Sequence, residues 1–462
     1  MVLNDDLVEE ISRYLSKSAI AALCSSSRGL SVVLTNQLYH TIDLHELSTP
    51  SVFRLFSTIE SSRNIASLVR IFLHIDVLHG LADRDPTAYT AALSSALTRL
   101  HNLRKISCYN LETLIAAYPA IAGTFPTLRS MRDVTFVGSE WSAQAQTQVL
   151  AALHPLLRLV FHVGGDLLEE RGHAPSLQAV RVPGLEQLLR TSCESLEHLE
   201  LHGVRLSEFL NEAPLVAFKG LISLSIRSEE PLEDVWASSF PHLERLTLLN
   251  LCDERLNLIS IPGSLPELSY LGFCFEGFEL PRHPERVKPM LPRRIAHLTI
   301  HGSIFPTLEE DRVVFIISSV IQTDSLKSLQ IDGIVHHLYA TVEGVLGFCS
   351  NLEFFSLYAH AEEVEDALRA VSMHAPPSLR VLSVRCDLRF THWSMPIEGL
   401  DTLVSAQLPA LPLTLELLEL RLYEGVFRLQ PALMHFRRCR SSWVQTLGDE
   451  LRPLEEFCWR IN

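Results

Sequence analysis

The hexamer Leu196-Glu197-His198-Leu199-Glu200-Leu201 constrains this chain more than any other feature, because the rest of the sequence repeats its frame. The same L-x-x-L-x-L spacing of apolar residues recurs at Leu68-Ile71-Leu73, Leu103-Ile106-Cys108, Met131-Val134-Phe136, Leu156-Leu159-Phe161 and Leu177-Val180-Val182. It continues at Leu221-Leu224-Ile226, Leu243-Leu246-Leu248, Leu268-Leu271-Phe273, Ile295-Leu298-Ile300, Leu326-Leu329-Ile331 and Leu352-Phe355-Leu357. It closes at Leu379-Leu382-Val384, Leu415-Leu418-Leu420 and Leu454-Phe457-Trp459. The fifteen copies are spaced about 28 residues apart on average, with gaps from 19 to 39.

A repeat of 20–29 residues with this frame is the signature of a leucine-rich-repeat solenoid. The L-x-L part places two apolar side chains on one face of a short strand. One such strand cannot bury that face alone, but stacked copies form a continuous core. Between the hexamers lie helical stripes. Residues 90–100 align Leu93, Ala96, Leu97 and Leu100; residues 311–322 align Val313, Ile316, Ile317, Val320 and Ile321. Residues 362–374 align Val364, Ala367, Leu368 and Val371, with Glu362, Glu363 and Glu365 at the electropositive start. Alternating strand and helix implies parallel strands joined by right-handed crossovers. The expected fold is α/β: about fifteen irregular repeats, strands on a concave face and helices on the convex face. Proline-bearing stretches at 274–294 and 386–413 read as loops, either binding elements or tolerated decoration.

The first 45 residues obey another pattern. Leu3, Leu7, Ile11 and Leu15 stand four apart, the stripe of a short amphipathic helix, with Asn4 as N-cap. A second helix, which Ser18 can cap, carries Ile20, Leu23 and Cys24; a third carries Leu30, Val33, Leu34, Leu38 and Tyr39. Three short helices bury little surface by themselves and need the solenoid or a partner to lean on. Tyr39-x-x-Ile42-x-Leu44 reads as a degenerate hexamer that closes the open end of the repeats. The expected division is a helical domain over 1–45 and a solenoid over 46–462.

The series Leu3, Leu7, Ile11, Tyr14-Leu15, then Ile20, Leu23-Cys24, Ser27-Arg28, then Leu38-Tyr39, Ile42, Leu44 resembles an F-box. More narrowly, it resembles the F-box-like start of fungal F-box proteins with irregular leucine-rich repeats. Leu3-Asn4 stands where that family usually has Leu-Pro. Cys193-x-x-Leu196 and Cys349-x-x-Leu352 resemble the cysteine-containing class of these repeats; as residues, both read as small buried side chains at the turn into a strand. The resemblance implies the substrate-recognition subunit of a cullin–RING (SCF-type) ubiquitin ligase. Leu3, Leu7, Ile11, Leu15, Ile20 and Leu23 would dock a Skp-type adaptor. The other reading is a free-standing scaffold or inhibitor-like solenoid whose first 45 residues only cap it.

Enzyme motifs are absent: no phosphate-cradling glycine loop, no H-E-x-x-H and no G-x-S-x-G. No enzyme activity and no cofactor is expected. His198, Glu200 and His202 alternate along one strand and so face one side, as metal ligands would. Ser223, Ser225 and Arg227 on the next strand supply no further ligand, so no metal is expected. Nine cysteines without paired spacing, the lack of N-x-S/T sequons and an acidic start predict an intracellular protein, cytoplasmic or nuclear. No apolar run is long enough to span a bilayer.

The residues pointing away from the leucines carry the partner prediction. In each hexamer these are the third, the fifth and the one after the sixth. They include nine Lys or Arg, six His and only five Asp or Glu, within a chain of net charge −15. Arg158, His162, Arg181, His198, His202, Arg227 and Arg245 are expected to share one basic patch on five consecutive strands. Outward aromatics at Phe72, Tyr109, Tyr270, Phe354 and Tyr358 would act as anchors. Guanidinium groups suit carboxylates and phosphates, so an acidic or phosphorylated protein segment is expected. The acidic remainder of the chain opposes nucleic acid and anionic membranes.

Overall fold

The computed structural model describes residues 8, 11–12, 15–45, 47–76, 86–138, 141–164, 180–205, 209, 216–227, 236–249, 265–274, 294–301, 317, 321–332, 337–360, 363–387, 402, 404–423, 432–439 and 442–447. The chain divides into two compact units, Met1–Leu221 and Ile222–Asn462.

In the first unit, α1 (Lys17–Ser26) and α2 (Arg28–His40) lead into β1 (Thr41–Asp43). Then come α3 (Thr49–Ser61), α4 (Arg63–Leu68), β2 (Ile71–Ile75), α5 (Pro86–Leu97), β3 (Lys105–Tyr109), α6 (Leu111–Ala117) and β4 (Asp133–Gly138). The unit ends with α7 (Ala143–Gln148), β5 (Arg158–Val163), α8 (Pro183–Ser192) and β6 (His198–His202). Strands β1 to β6 pair in sequence order, all parallel. Serines start several of the helices: Ser16, Ser62 and Ser142 each accept a hydrogen bond from a backbone N–H three residues on. Ser16 thus takes the capping place expected of Ser18.

The second unit contains β7 (Ser223–Arg227), α9 (Trp236–Ser239), β8 (Arg245–Leu249), β9 (Tyr270–Cys274), β10 (His297–His301) and β11 (Ser328–Asp332). It continues with α10 (Leu338–Phe348), β12 (Phe354–His360), α11 (Val364–His374), β13 (Val381–Asp387) and β14 (Leu417–Tyr423). Strands β7 to β14 are parallel and consecutive. Two further strands carry no hexamer: β15 (Ala432–Cys439) and β16 (Ser442–Leu447) pair antiparallel on the edge of β14.

Each unit is therefore leucine-rich-repeat solenoid, and one backbone device recurs through it. The carbonyl ahead of a strand accepts two successive N–H groups from the next repeat. Arg104 and Lys105 donate to Arg70, Arg132 and Asp133 to Arg104, and Leu157 and Arg158 to Arg132. Glu244 and Arg245 donate likewise to Ile222, and Arg380 and Val381 to Glu353. The alternation predicted for the hexamers arises from this register. In β6, Leu199 and Leu201 are buried while His198, Glu200 and His202 are half-buried on the open face.

Two hexamers depart from the frame. Leu177 lies outside the described residues, and Val180 and Val182 of that copy form no strand of the sheet: β5 pairs directly with β6, and Glu197 and His198 donate to Leu157. Val180 makes only an isolated bridge to Val204, and Pro183 at once starts α8. A proline lacks the N–H that a paired strand would need there. In β2 the frame begins one residue later than the leucine suggests. Val69, Phe72 and Ile75 are fully buried, and Phe72 stands level with Ile106. Phe72, expected on the open face, is a core residue. His74 adopts φ 54°, and the pairing shifts between Phe72 and Ile75, which returns Ile75 to the core side. The hexamer beginning at Leu454 lies outside the described residues, as does most of the stripe at 311–322, the stretch 275–293 and that at 388–401.

The helical stripes at α5 and α11 bury Leu93, Ala96 and Leu97, and Val364, Ala367, Leu368 and Val371, as their spacing requires. Cys349 is buried and its thiol is pushed up to about 12 by desolvation, which suits packing and not reactivity. Among the described residues no helix is long and apolar enough to cross a membrane.

Leu199→Ala and Leu246→Ala should each cost about 2–5 kcal/mol, and Phe72→Ala about 3–5 kcal/mol, read from chemical denaturation. A loss under about 0.5 kcal/mol at Phe72 would return its ring to the open face and restore the Leu68 frame.

Candidate functional site

The open face of the first unit is assembled by pairing β5 with β6. Arg158 lies level with His198, Val160 with Glu200 and His162 with His202. Gly203 fixes how closely the strand ends meet. Its φ is 68°, and a Cβ there would stand 2.1 Å from the carbonyl oxygen of Val163. Only glycine accepts both conditions.

Within this frame His162 and His202 stack face to face, with ring centroids 3.8 Å apart and planes 4° from parallel. Both turn Nε2 toward one carboxylate oxygen, Oε1 of Glu200, at 2.9 Å and 3.5 Å. The side chains of His162 and His202 are only 12% and 14% exposed, that of Glu200 35%. The hydrogen bond from His162 holds the Glu200 carboxyl below its ordinary value, against the effect of burial; the charges of His202, His162 and Arg158 act in the same sense. Nδ1 of His162 is buried with no hydrogen-bond partner among the described residues. The alternation of the sequence groups His198, Glu200 and His202; the structure substitutes His162, from the neighbouring strand, for His198. Alignment of the Leu156 and Leu196 hexamers contains that signal, because His162 and His202 each stand just after the sixth position.

The seven residues expected to share a basic patch fall in both units. Arg158, His162, Arg181, His198 and His202 belong to the first unit, Arg227 and Arg245 to the second. Arg181 is not on a strand: it precedes α8 and grips Glu186 with two hydrogen bonds, Nε to Oε1 at 2.8 Å and Nη2 to Oε2 at 3.1 Å. Arg158 is exposed and makes no direct ion pair among the described residues. In the second unit Arg245 stands level with Ser223, and Arg227 with Leu249. The two arginines are thus four residues apart along the strands, about 13 Å.

Some of the outward cations are matched by carboxylates. Lys105 pairs with Asp133 at 3.3 Å, His74 with Asp43 at 2.7 Å, and Arg385 with Asp332 at 2.6 Å. Arg421 pairs with Glu419, a buried carboxylate that also accepts from Ser383 Oγ at 3.0 Å. Lys105, Arg181, Arg385 and Arg421, four of the nine outward Lys and Arg residues, are thus matched by carboxylates. Its aromatics are also engaged. Tyr109 stacks on His74 at 5.6 Å, Tyr270 donates to Thr299 Oγ1 at 2.9 Å, and Phe354 is buried with Val381 and Leu417.

The N-terminal helices keep a small core of their own. Val8, Ile20 and Leu34 are buried in it, with Leu15, Leu23, Cys24, Leu30, Val33 and Leu38 packed against them. Of the residues expected to meet an adaptor, Ile20 is therefore interior, Leu15 and Leu23 are half-buried, and Ile11 is 48% exposed. Leu3 and Leu7 lie outside the described residues. A cavity of about 940 Å³ runs beside α1, α2 and α3, lined among others by Lys17, Ala21, Tyr39, Asp43 and Arg54.

No protein-family model matches this chain, and no curated protein matches it. Among solved structures the chain is similar to the yeast complex of Rad7 and Elc1, at 12% identity and a TM-score of 0.40, covering 85% of this chain and 96% of that one. It is also similar to the leucine-rich repeat-containing protein LegL7 from Legionella pneumophila, at 13% identity and a TM-score of 0.41, covering 72% of this chain and 97% of that one. At such scores neither likeness carries functional weight.

Arg385→Ala should cost about 1–3 kcal/mol in chemical denaturation, because it takes the guanidinium from the four-fifths-buried Asp332 carboxylate and leaves it the neutral Gln330 amide. Removing both partners should cost less than removing Arg385 alone. Equal losses in the single and double variants would show that the pair does not neutralise this face.

Proposed function

We propose that the chain is a protein-binding subunit that carries out no chemistry itself: the substrate receptor of a cullin–RING (SCF-type) ubiquitin ligase. The F-box-like helices would hold a Skp-type adaptor, and the open face of the repeats would hold a protein to be modified inside the cell. Such a receptor acts by bringing its partner close to a bound transferase. The observation that carries this reading is that α1 and α2 complete a core with residues of the first 45 alone, while the apolar Ile11 remains 48% exposed beside them. Helices that served only as a cap would spend their apolar side chains on the repeats.

For the repeat face the proposed partner is an acidic or phosphorylated protein segment. Arg158, exposed and without a direct ion pair among the described residues, supports that class, with His198 level with it on the next strand. Lys105 and Arg181, by contrast, are already paired with Asp133 and Glu186.

A specific observation favours the second reading, a scaffold whose first 45 residues cap the repeats. The α2 helix runs without a break into β1, and Arg70 donates to the carbonyl of His40 at its last turn. Adaptor capture separates the two. Wild-type protein at micromolar concentration should retain a Skp-type adaptor, and Leu7→Asp with Ile11→Asp should abolish capture while far-ultraviolet circular dichroism stays unchanged. Absence of capture by folded wild-type protein would leave the scaffold.

A further inference from the structure

We propose that His162, Glu200 and His202 form a binding site for a single divalent transition-metal ion of the zinc type, on the open face of the first unit. The three residues each offer a ligand atom, and these atoms all lie within 4.8 Å of one another. Metal–nitrogen and metal–oxygen distances near 2.1 Å place ligand atoms of one tetrahedral ion about 3.4 Å apart. Closing that difference requires the two rings to turn out of their stack, so that their in-plane lone pairs converge on one centre. The backbone need not move, because the β5–β6 register and Gly203 already hold the three Cα positions.

The donor set chooses the class of ion. Two imidazoles and one carboxylate suit zinc, cobalt, nickel or copper, whereas magnesium and calcium require mostly oxygen. Without a cation, two ring nitrogens face a single oxygen. With one, the three donors meet at a shared centre of positive charge. Arg158 is the nearby cation that opposes this, but its side chain is exposed and its field is screened by water and salt. Glu200, the most exposed of the three, leaves the site open to solvent. Three protein ligands leave one coordination position for water or for a donor atom of a bound partner.

The test uses full-length protein stripped with a chelator and titrated with Co²⁺, whose visible absorption reports its ligands, then displacement with Zn²⁺. One saturable equivalent of Co²⁺ should bind and be displaced by Zn²⁺, with Mg²⁺ unable to compete. Loss of even an outer-shell group weakens metal sites about 10–100-fold, so His202→Ala and Glu200→Gln should each weaken this equivalent at least tenfold. His198→Ala, on the same strand face, should not. Circular dichroism of Glu200→Gln, a substitution that keeps the shape of the side chain, guards against loss of fold. The proposal is overturned if folded wild-type protein binds no equivalent. It is equally overturned if Glu200→Gln and His202→Ala bind Co²⁺ as tightly as wild type, which would assign the ion to cysteines or to other histidines.

Discussion

Everything on the open face depends on a carbonyl that is used twice. Where the residue ahead of a strand accepts two consecutive N–H groups from the next repeat, neighbouring repeats cannot slide by one position without losing both bonds. A slip of one residue would also turn every leucine outward. The register is thus held by backbone and side chains together, and it decides which residues meet across strands. The stacking of His162 on His202 needs no further cause than two hexamers in step, with Gly203 permitting the close approach.

Much of the fold is legible in the sequence because the L-x-x-L-x-L spacing is a direct image of strand geometry. Leu199 and Leu201, Leu246 and Leu248, and Leu382 and Val384 are buried as their positions require. Sequence and structure part where leucine identity and backbone register diverge. At β2 the local run Leu68-Val69-Arg70-Ile71-Phe72-Leu73 is apolar in two phases, and the bonds from Arg104 and Lys105 to the carbonyl of Arg70 fix one of them. At Leu177 the spacing is intact, but Pro183 and the direct pairing of β5 with β6 leave that copy no place in the sheet. Strands β15 and β16 carry no hexamer, so a search for the repeat passes over them.

The site is less legible than the fold, for an electrostatic reason. Counting residue types by face finds an excess of arginine and histidine but cannot show which carboxylate each one meets. Asp332 and Arg385 are 53 residues apart in sequence, and two strands apart in the sheet. Glu186, which occupies Arg181, lies on a helix outside the tally altogether. Where such pairs form, single positive charges become short dipoles.

The antiparallel pair at β15 and β16 has a consequence for how such a chain can lengthen. Repeat arrays grow by duplication, and a new copy must find a parallel neighbour on each side whose carbonyls offer the same twofold acceptance. On the far side of β14 that edge is already taken by a strand running the other way, from which Arg438 donates back to Glu416. A duplicated unit could therefore be seated between existing parallel strands but not beyond β14. A copy seated there would move every outward side chain downstream of it to a new position in the sheet.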